Sequence, residues 1–319
     1  MLTPQELARE AAATGFPSES LEKVLRLLDL LGMLRSHPYL KERIALKGGT
    51  ALNLFVFDVP RLSVDVDLNY IGAVDRETML AERPKVDEAV QAVCERAGLR
   101  VRRIPDDHAG GKWRLSFTGA EGRDVTLELD LNYLLRTPLW RPVIADSRPV
   151  GRFGAKAVPV LDVHELAAGK LAALFARSAS RDLFDVRHLL RDVALDRARL
   201  RLAFVVYGGA NRRDWRTISV EDVRADAADV ERQLVPVLRG DVAPEPGATA
   251  EWTERLVGDC RKLVATLLPL ESVEMEFLTR LNDRGDIVPR LLTPDSAMQA
   301  IIASHPALLW KALNVRGRG

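Results

Sequence analysis

Cysteine is nearly absent from this 319-residue chain: only Cys94 and Cys260 occur, far apart and with no partner at metal-ligating spacing. That scarcity excludes a disulfide framework and argues against a structural zinc site. No run reaches the roughly eighteen apolar residues of a membrane-spanning helix, and the N-terminal MLTPQELAREAAATG lacks the apolar core of an export signal. The expected setting is a reducing cytosol, with no membrane partner. Neither sign of charge dominates: 46 Lys and Arg face 45 Asp and Glu, and a net charge of +1 argues neither for nor against a polyanionic ligand. The five histidines, His37, His108, His164, His188 and His305, show no metal-ligand spacing and are expected to be structural or superficial.

What is present is ample core material, with 47% hydrophobic and 29% charged residues, enough for one large or two ordinary domains. Charge is segregated along the chain: residues 170–216 hold eleven Lys or Arg against five Asp, and residues 221–231 hold five acids against one Arg. Such segregation suits a face that meets phosphates. The basic stretches 136–156 and 187–216 are expected to track an RNA backbone, with Trp113, Trp140 and Trp215 available to stack on bases.

Thr3-Pro4-Gln5-Glu6 predicts a capped helix start, and Leu21, Val24, Leu28, Leu31 and Leu34 an apolar stripe on a helix over 19–36. A strand at 44–46, a helix at 50–57, a strand at 63–70, a helix at 77–97 and strands at 99–104, 112–118 and 125–131 follow. From Asp162, an N-cap with Glu165 in the capping-box position, the pattern turns helical, with a bend at Ser178-Ala179-Ser180 and further helices over 219–239, 248–268, 271–282 and 295–313. The expected architecture is a small mixed sheet in front and a helical second half, divided near residue 160.

The chemistry concentrates in KGGTALNLFVFDVPRLSVDVDLNY, residues 47–70. Asp65 and Asp67, two apart on a strand, project to one side of the sheet. Adjacent carboxylates repel unless a cation neutralises them, and Mg²⁺ takes one or two carboxylates plus substrate phosphates. Gly48, Gly49 and Thr50 would offer N–H groups and a hydroxyl to an anion. On the alternating strand at 125–131, Glu128 and Asp130 share the polar face, and Asp130 is the candidate third ligand of a two-metal centre. Ser63 is placed to face that centre. Lys170 and Arg177, seven residues apart on one helix, present two cations on one face. Arg181 would stand one turn on if the helix continues.

The four blocks Lys47-Gly48-Gly49-Thr50-Ala51-Leu52, Arg61-x-Ser63-x-Asp65-x-Asp67-Leu68, Lys170-Leu171-x-Ala173 with Arg177, and Arg181-Asp182-x-x-Asp185 resemble the AbiEii/MenT family, nucleotidyltransferase-like toxins of type IV toxin-antitoxin systems. They span residues 44–192 in the family's order, and the Lys170–Asp185 block is the family-specific part. The resemblance implies an α+β fold, with a nucleotidyltransferase domain over 1–160 that carries the metal site and a mainly helical domain over 161–319. It implies an enzyme that uses NTP and two Mg²⁺ ions and transfers a nucleotide to an RNA 3′ end, with tRNA as acceptor and a cognate antitoxin as partner. Its implied catalytic residues are Asp65, Asp67, Lys170 and Asp185; its phosphate-binding residues are Gly48, Gly49, Thr50, Ser63, Lys170, Arg177 and Arg181. By the same resemblance, modification of Ser63 would silence the enzyme. Rival readings are transfer to a protein hydroxyl or small molecule, and a non-catalytic binding protein on this scaffold. On the enzyme reading, Asp65→Ala or Lys170→Ala abolishes transfer in a chain that stays folded.

Overall fold

The computed structural model describes residues 2–104 and 110–317; residues 105–109, and His108 with them, lie outside the described residues. The chain divides into two compact units. The first comprises Met1–Arg136, Arg141–Leu161 and Val235–Ala243, and the second Thr137–Trp140, Asp162–Leu234 and Pro244–Gly319.

The first unit is built on a seven-stranded mixed sheet. Its elements are α1 (Pro4–Thr14), α2 (Ser18–Ser36), β1 (Ile44–Leu46), α3 (Gly48–Ala51), β2 (Asp65–Tyr70), α4 (Arg76–Arg96), β3 (Arg100–Ile104), β4 (Gly110–Thr118), β5 (Asp124–Asn132), β6 (Val143–Ala145) and β7 (Val158–Val160). The strand order is β3-β4-β5-β2-β1-β7-β6, with β2 parallel to β5 and β1 parallel to β7. Thr3 caps α1 in the predicted box, its hydroxyl accepting from the Glu6 N–H while Glu6 accepts from the Thr3 N–H. The stripe from Leu21 to Leu34 is buried as predicted. Beneath α2 and α4 lie Val66, Leu68, Trp113, Leu115, Leu127, Leu129 and Leu131, all essentially inaccessible. Each such aliphatic contributes about 1.5–3 kcal/mol, so the apolar face fixes the sheet and leaves the other face free for polar groups.

Three differences from the sequence expectation bear on function. The predicted helix at 50–57 is α3 followed by a π-helical turn, Leu52–Val56. β2 begins at Asp65, so Ser63 precedes the strand. The expected helix over 219–239 is broken into short turns, with residues 223–226 outside any helix and Pro236 barring a regular helix at its end. Its end, Val235–Ala243, returns to the first unit, where Leu62 N–H donates to Val237 O at 2.7 Å and Arg61 bridges Leu238.

The second unit is helical: α5 (Val163–Arg177), α6 (Ser180–Asp192), α7 (Arg197–Gly209), α8 (Ala227–Asp229), α9 (Thr249–Val264), α10 (Ser272–Arg284), α11 (Ser296–Ala303) and α12 (Pro306–Arg316). The bend at 178–180 is a helix end, since Ser178 adopts a left-handed conformation (φ 53°) and α6 starts afresh at Ser180. Arg181 therefore does not extend the Lys170–Arg177 face. Asp162 caps α5 through the His164 N–H. Glu165 forms no capping box; it turns inward, accepting from Trp140 N–H at 3.2 Å and Tyr207 Oη at 2.9 Å.

Candidate active site

In the first unit the glycine turn lies directly on the aspartate strand. Lys47 N–H donates to Asp67 O at 2.9 Å, which brings Gly48 against the Asp67 carboxylate. Gly48 has φ +72°, and a Cβ there would collide with that carboxylate, so glycine is required both by conformation and by space. A Cβ on Gly49 would come within 2.8 Å of Ser63 Oγ. Ser63, only 7% exposed, is thus packed beneath the turn. Thr50 is fully buried and donates its hydroxyl to Asp65 O at 2.5 Å. That bond ties the turn to β2, and the orphan N–H groups at the start of α3 remain as the turn's donors toward an anion.

Register assembles the polar face. Asp65 pairs with Glu128 and Asp67 with Asp130 across the parallel β2–β5 ladder, while β4 sets Arg114 opposite Glu128 and Lys112 opposite Asp130. β3 adds Arg102 opposite Arg114. Two rows result, Asp65-Glu128-Arg114-Arg102 and Asp67-Asp130-Lys112-Ile104, with carboxylates on the inner strands and cations outside. Lys112 Nζ lies 2.8 Å from Glu128 Oε2, and Arg114 reaches Glu128 Oε1 at 3.5 Å. The Lys112 hydrogen bond, reinforced by Arg114, holds the Glu128 carboxyl below its usual range, and Lys112 is raised by Glu128 and by the charges of Asp130 and Asp65. Glu128 is thereby neutralised by two cations, while Asp130 stands beside Asp67 in the ladder and opposite Lys112. Lys112 and Arg114 escaped the sequence reading because their place beside Glu128 is set by β4–β5 register.

Among the described residues, no three His, Cys, Asp or Glu side chains stand in a metal-ligating cluster. The donor set still suits Mg²⁺, which needs only one or two protein carboxylates when phosphates supply other oxygens. Asp65 and Asp67, with Asp130 one strand away, offer hard oxygens only.

In the second unit Lys170 is the centre of a buried ionic node. Its Nζ lies 2.8 Å from Asp182 Oδ1 and 2.9 Å from Asp185 Oδ2, with both carboxylates at 1% exposure or less. Arg177 completes the node, its Nε 2.6 Å from Asp182 Oδ2, while its own side chain is 65% exposed. Burial alone would raise the Asp182 carboxyl, but Lys170 and Arg177 outweigh it and hold it below its usual value. Two cations and two carboxylates meet in this node. Lys170 organises the junction of α5 and α6, and the expectation that Lys170→Ala leaves the fold intact is not supported by this geometry. Half-buried Arg181 lies outside the node.

The predicted RNA-tracking surface is overturned in part. Trp113 and Trp215 are fully buried and cannot stack on bases, and Trp140 lies under the Arg199 guanidinium at 4.3 Å. Much of the basic stretch at 187–216 is spent on ion pairs: Arg187 with Asp259, Arg199 with Asp162, Arg201 with Glu274, Arg213 with Asp222, and Arg216 with Asp214 and Asp283. His164 and His188 are buried structural residues, the first bridging Asp162 and the Asp196 N–H.

A glycine turn seated on an Asp-x-Asp strand, with a third acid on the neighbouring parallel strand, is the framework of a nucleotidyltransferase. Comparison with known proteins narrows the class: the profile described as nucleotidyl transferase AbiEii toxin, type IV TA system, matches residues 29–269. The chain belongs to this family. Among solved structures it is similar to MenT4, a nucleotidyltransferase toxin from Mycobacterium tuberculosis H37Rv, with a TM-score of 0.59 and 23% identity over 97% of this chain and 99% of that one. At that identity the likeness is one of fold, a mixed sheet with many helices as the sequence led us to expect. No curated protein matches the chain. Among the described residues no helix is long and apolar enough to cross a membrane.

Proposed function

We propose that this nucleotidyltransferase transfers a nucleoside monophosphate from NTP to the 3′ end of an RNA, with tRNA as the acceptor class, in a Mg²⁺-dependent reaction. The observation that carries the reading is the in-register pairing of Asp65 and Asp67 with Glu128 and Asp130 on one polar face, directly against the Gly48 turn. Asp65, Asp67 and Asp130 would hold Mg²⁺, which when bound lowers the pKa of the attacking hydroxyl and neutralises the triphosphate. Gly48 and Gly49 would supply backbone N–H groups to phosphate oxygens, with Thr50 fixing their turn, and Lys112 and Arg114 keep Glu128 out of the ligand set. Asp130 is also the candidate to accept the proton of the attacking 3′-hydroxyl.

The first unit is the nucleotidyltransferase domain in this reading, and the second carries the Lys170-Arg177-Asp185 node. Arg177, its exposed member, is the cation assigned to the triphosphate; Lys170 and Asp185 support it, and Arg181 is a secondary phosphate contact. Type IV membership makes a cognate antitoxin the expected partner. A phosphate on Ser63 would crowd Asp65 and Asp67 with negative charge and block the turn.

Incubation with each labelled NTP, Mg²⁺, total RNA and lysate tests the reading. Label on RNA 3′ ends, lost in a folded Asp65→Ala variant, supports it. Label on protein or small molecules, or full activity in Asp65→Ala, would overturn it.

A further inference from the structure

The charged groove that chemistry leaves unexplained lies on the other side of the sheet. A cavity of about 890 Å³ runs along α2, past the end of α4, to the segment at 154–157, all within the first unit. It is on the helical side, because Arg26, one of its lining residues, sits over Phe117 at 5.2 Å. Phe117 alternates with Ser116 and Thr118, so it points away from the Asp65–Asp67 face. Five cations line the groove, Arg26, Arg35, Lys41, Arg96 and Lys156, against the single carboxylate of Asp29. A chain with almost equal numbers of acids and bases has here collected a local charge of +4, the difference between five cations and one acid.

Internal pairing consumes little of that charge. Lys156 pairs with Asp146 at 2.9 Å, and Arg35 donates to Ala157 O at 2.6 Å, which leaves its charge unneutralised. Lys41 and Arg96 are exposed and have no ion-pair partner among the described residues.

We propose that this groove is a second nucleic-acid site, which holds the phosphodiester backbone of the RNA on the side of the sheet away from the carboxylates. Protein–protein interface cores are depleted in lysine, whereas backbone phosphates are neutralised by spaced Lys and Arg without base readout. Arg26 and Arg35 from α2, Lys41 after it, Arg96 at the end of α4 and Lys156 supply such a set along one groove. The proposal rests on the RNA reading above for the identity of its polyanion. The groove anchors the body of the acceptor and takes no part in the transfer step.

The test is equilibrium binding of fluorescently labelled tRNA without NTP, titrated with salt, for the wild type, Lys41→Ala, Arg96→Ala and the double variant. Each exposed cation removed should weaken binding several-fold and lower the slope of log K against log salt by about one. ATP binding in Mg²⁺ should be unchanged, and with tRNA as acceptor KM should rise while kcat holds. An unaltered salt slope in the double variant overturns the groove, as does an equal loss of ATP affinity. Binding of the wild type to phosphatidylserine vesicles but not to tRNA would also overturn it. If transfer to RNA fails in the wild type while the variants still lose tRNA affinity, the groove stands and the acceptor reading falls. Transfer with unchanged KM in the double variant overturns the groove and leaves the acceptor reading standing.

Discussion

Replacing Lys170 by methionine keeps the length of the side chain and removes its charge, and the node around it dictates the outcome. Asp185 loses a cation at 2.9 Å while fully buried, and Asp182 retains only Arg177. Breaking a buried ion pair from one side costs about 3–5 kcal/mol, because the remaining carboxylates lose a cation at close range in a buried place. For a unit of this size that is a fall in Tm of roughly 6–20 °C. The cost should depend on pH in a defined sense. In the wild type the depressed Asp182 carboxyl contributes stability above its unfolded pKa, lost as pH falls through the folded value. In the variant a carboxylate that has lost the Lys170 charge can take up a proton instead, so the deficit is largest near pH 8 and shrinks toward pH 5. Urea unfolding of Lys170→Met, Asp185→Asn and the double variant measures the node directly. The double variant should recover much of the loss, with a coupling above about 2 kcal/mol. A Lys170→Met variant within about 1 kcal/mol of the wild type, or a double variant that recovers nothing, refutes the reasoning. A double variant that regains stability but not transfer would assign the Lys170–Asp185 pair a part in the chemistry as well.

Other substitutions separate the remaining roles. Burial pushes Glu165 up to about 7, so the folded chain holds a proton that the unfolded chain releases, and stability should fall by about 3 kcal/mol between pH 4.5 and 8 on this account. Glu165→Gln should flatten that slope in urea unfolding at stepped pH, and an unchanged slope would sink the assignment. Asp130→Asn should reduce transfer by at least about a hundredfold, the scale of losing a metal-held reacting group. Glu128→Gln should keep most of the activity, and steady-state kinetics showing the opposite order would exchange the two acids. Gly48→Ala should cost about 1–2 kcal/mol from its left-handed backbone alone, and transfer should be lost because the added methyl displaces Asp67; calorimetry and the transfer assay read the two effects separately.

The polar face of the sheet was legible wherever one strand carries its own information. Asp65 and Asp67 alternate with buried Val66 and Leu68, and Glu128 and Asp130 with Leu127 and Leu129, so the faces follow from a period of two. The ion pairs of Glu128 were not legible, because Lys112 and Arg114 arrive from β4, and register between distant strands is a tertiary property. Trp113 could have been placed in the core from its alternation with Lys112 and Arg114, a signal outweighed by the appeal of tryptophan as a stacking group. Lys170 and Arg177 were visible as a helix face, but their burial against Asp182 depends on how α6 restarts after Ser178. β6 and β7, three residues each, are too short to show a period.

The return of Val235–Ala243 to the first unit has a consequence for how such enzymes can be dissected or recombined. A chain cut after residue 160 keeps all seven strands and every carboxylate of the sheet face. It loses the cover on the segment that feeds β2, where Leu62 N–H meets Val237 O and Arg239 reaches the Asp58 and Val59 carbonyls. A cut at residue 160 therefore does not isolate the first unit: an exchange of C-terminal halves between relatives must also carry a segment that matches residues 58–62.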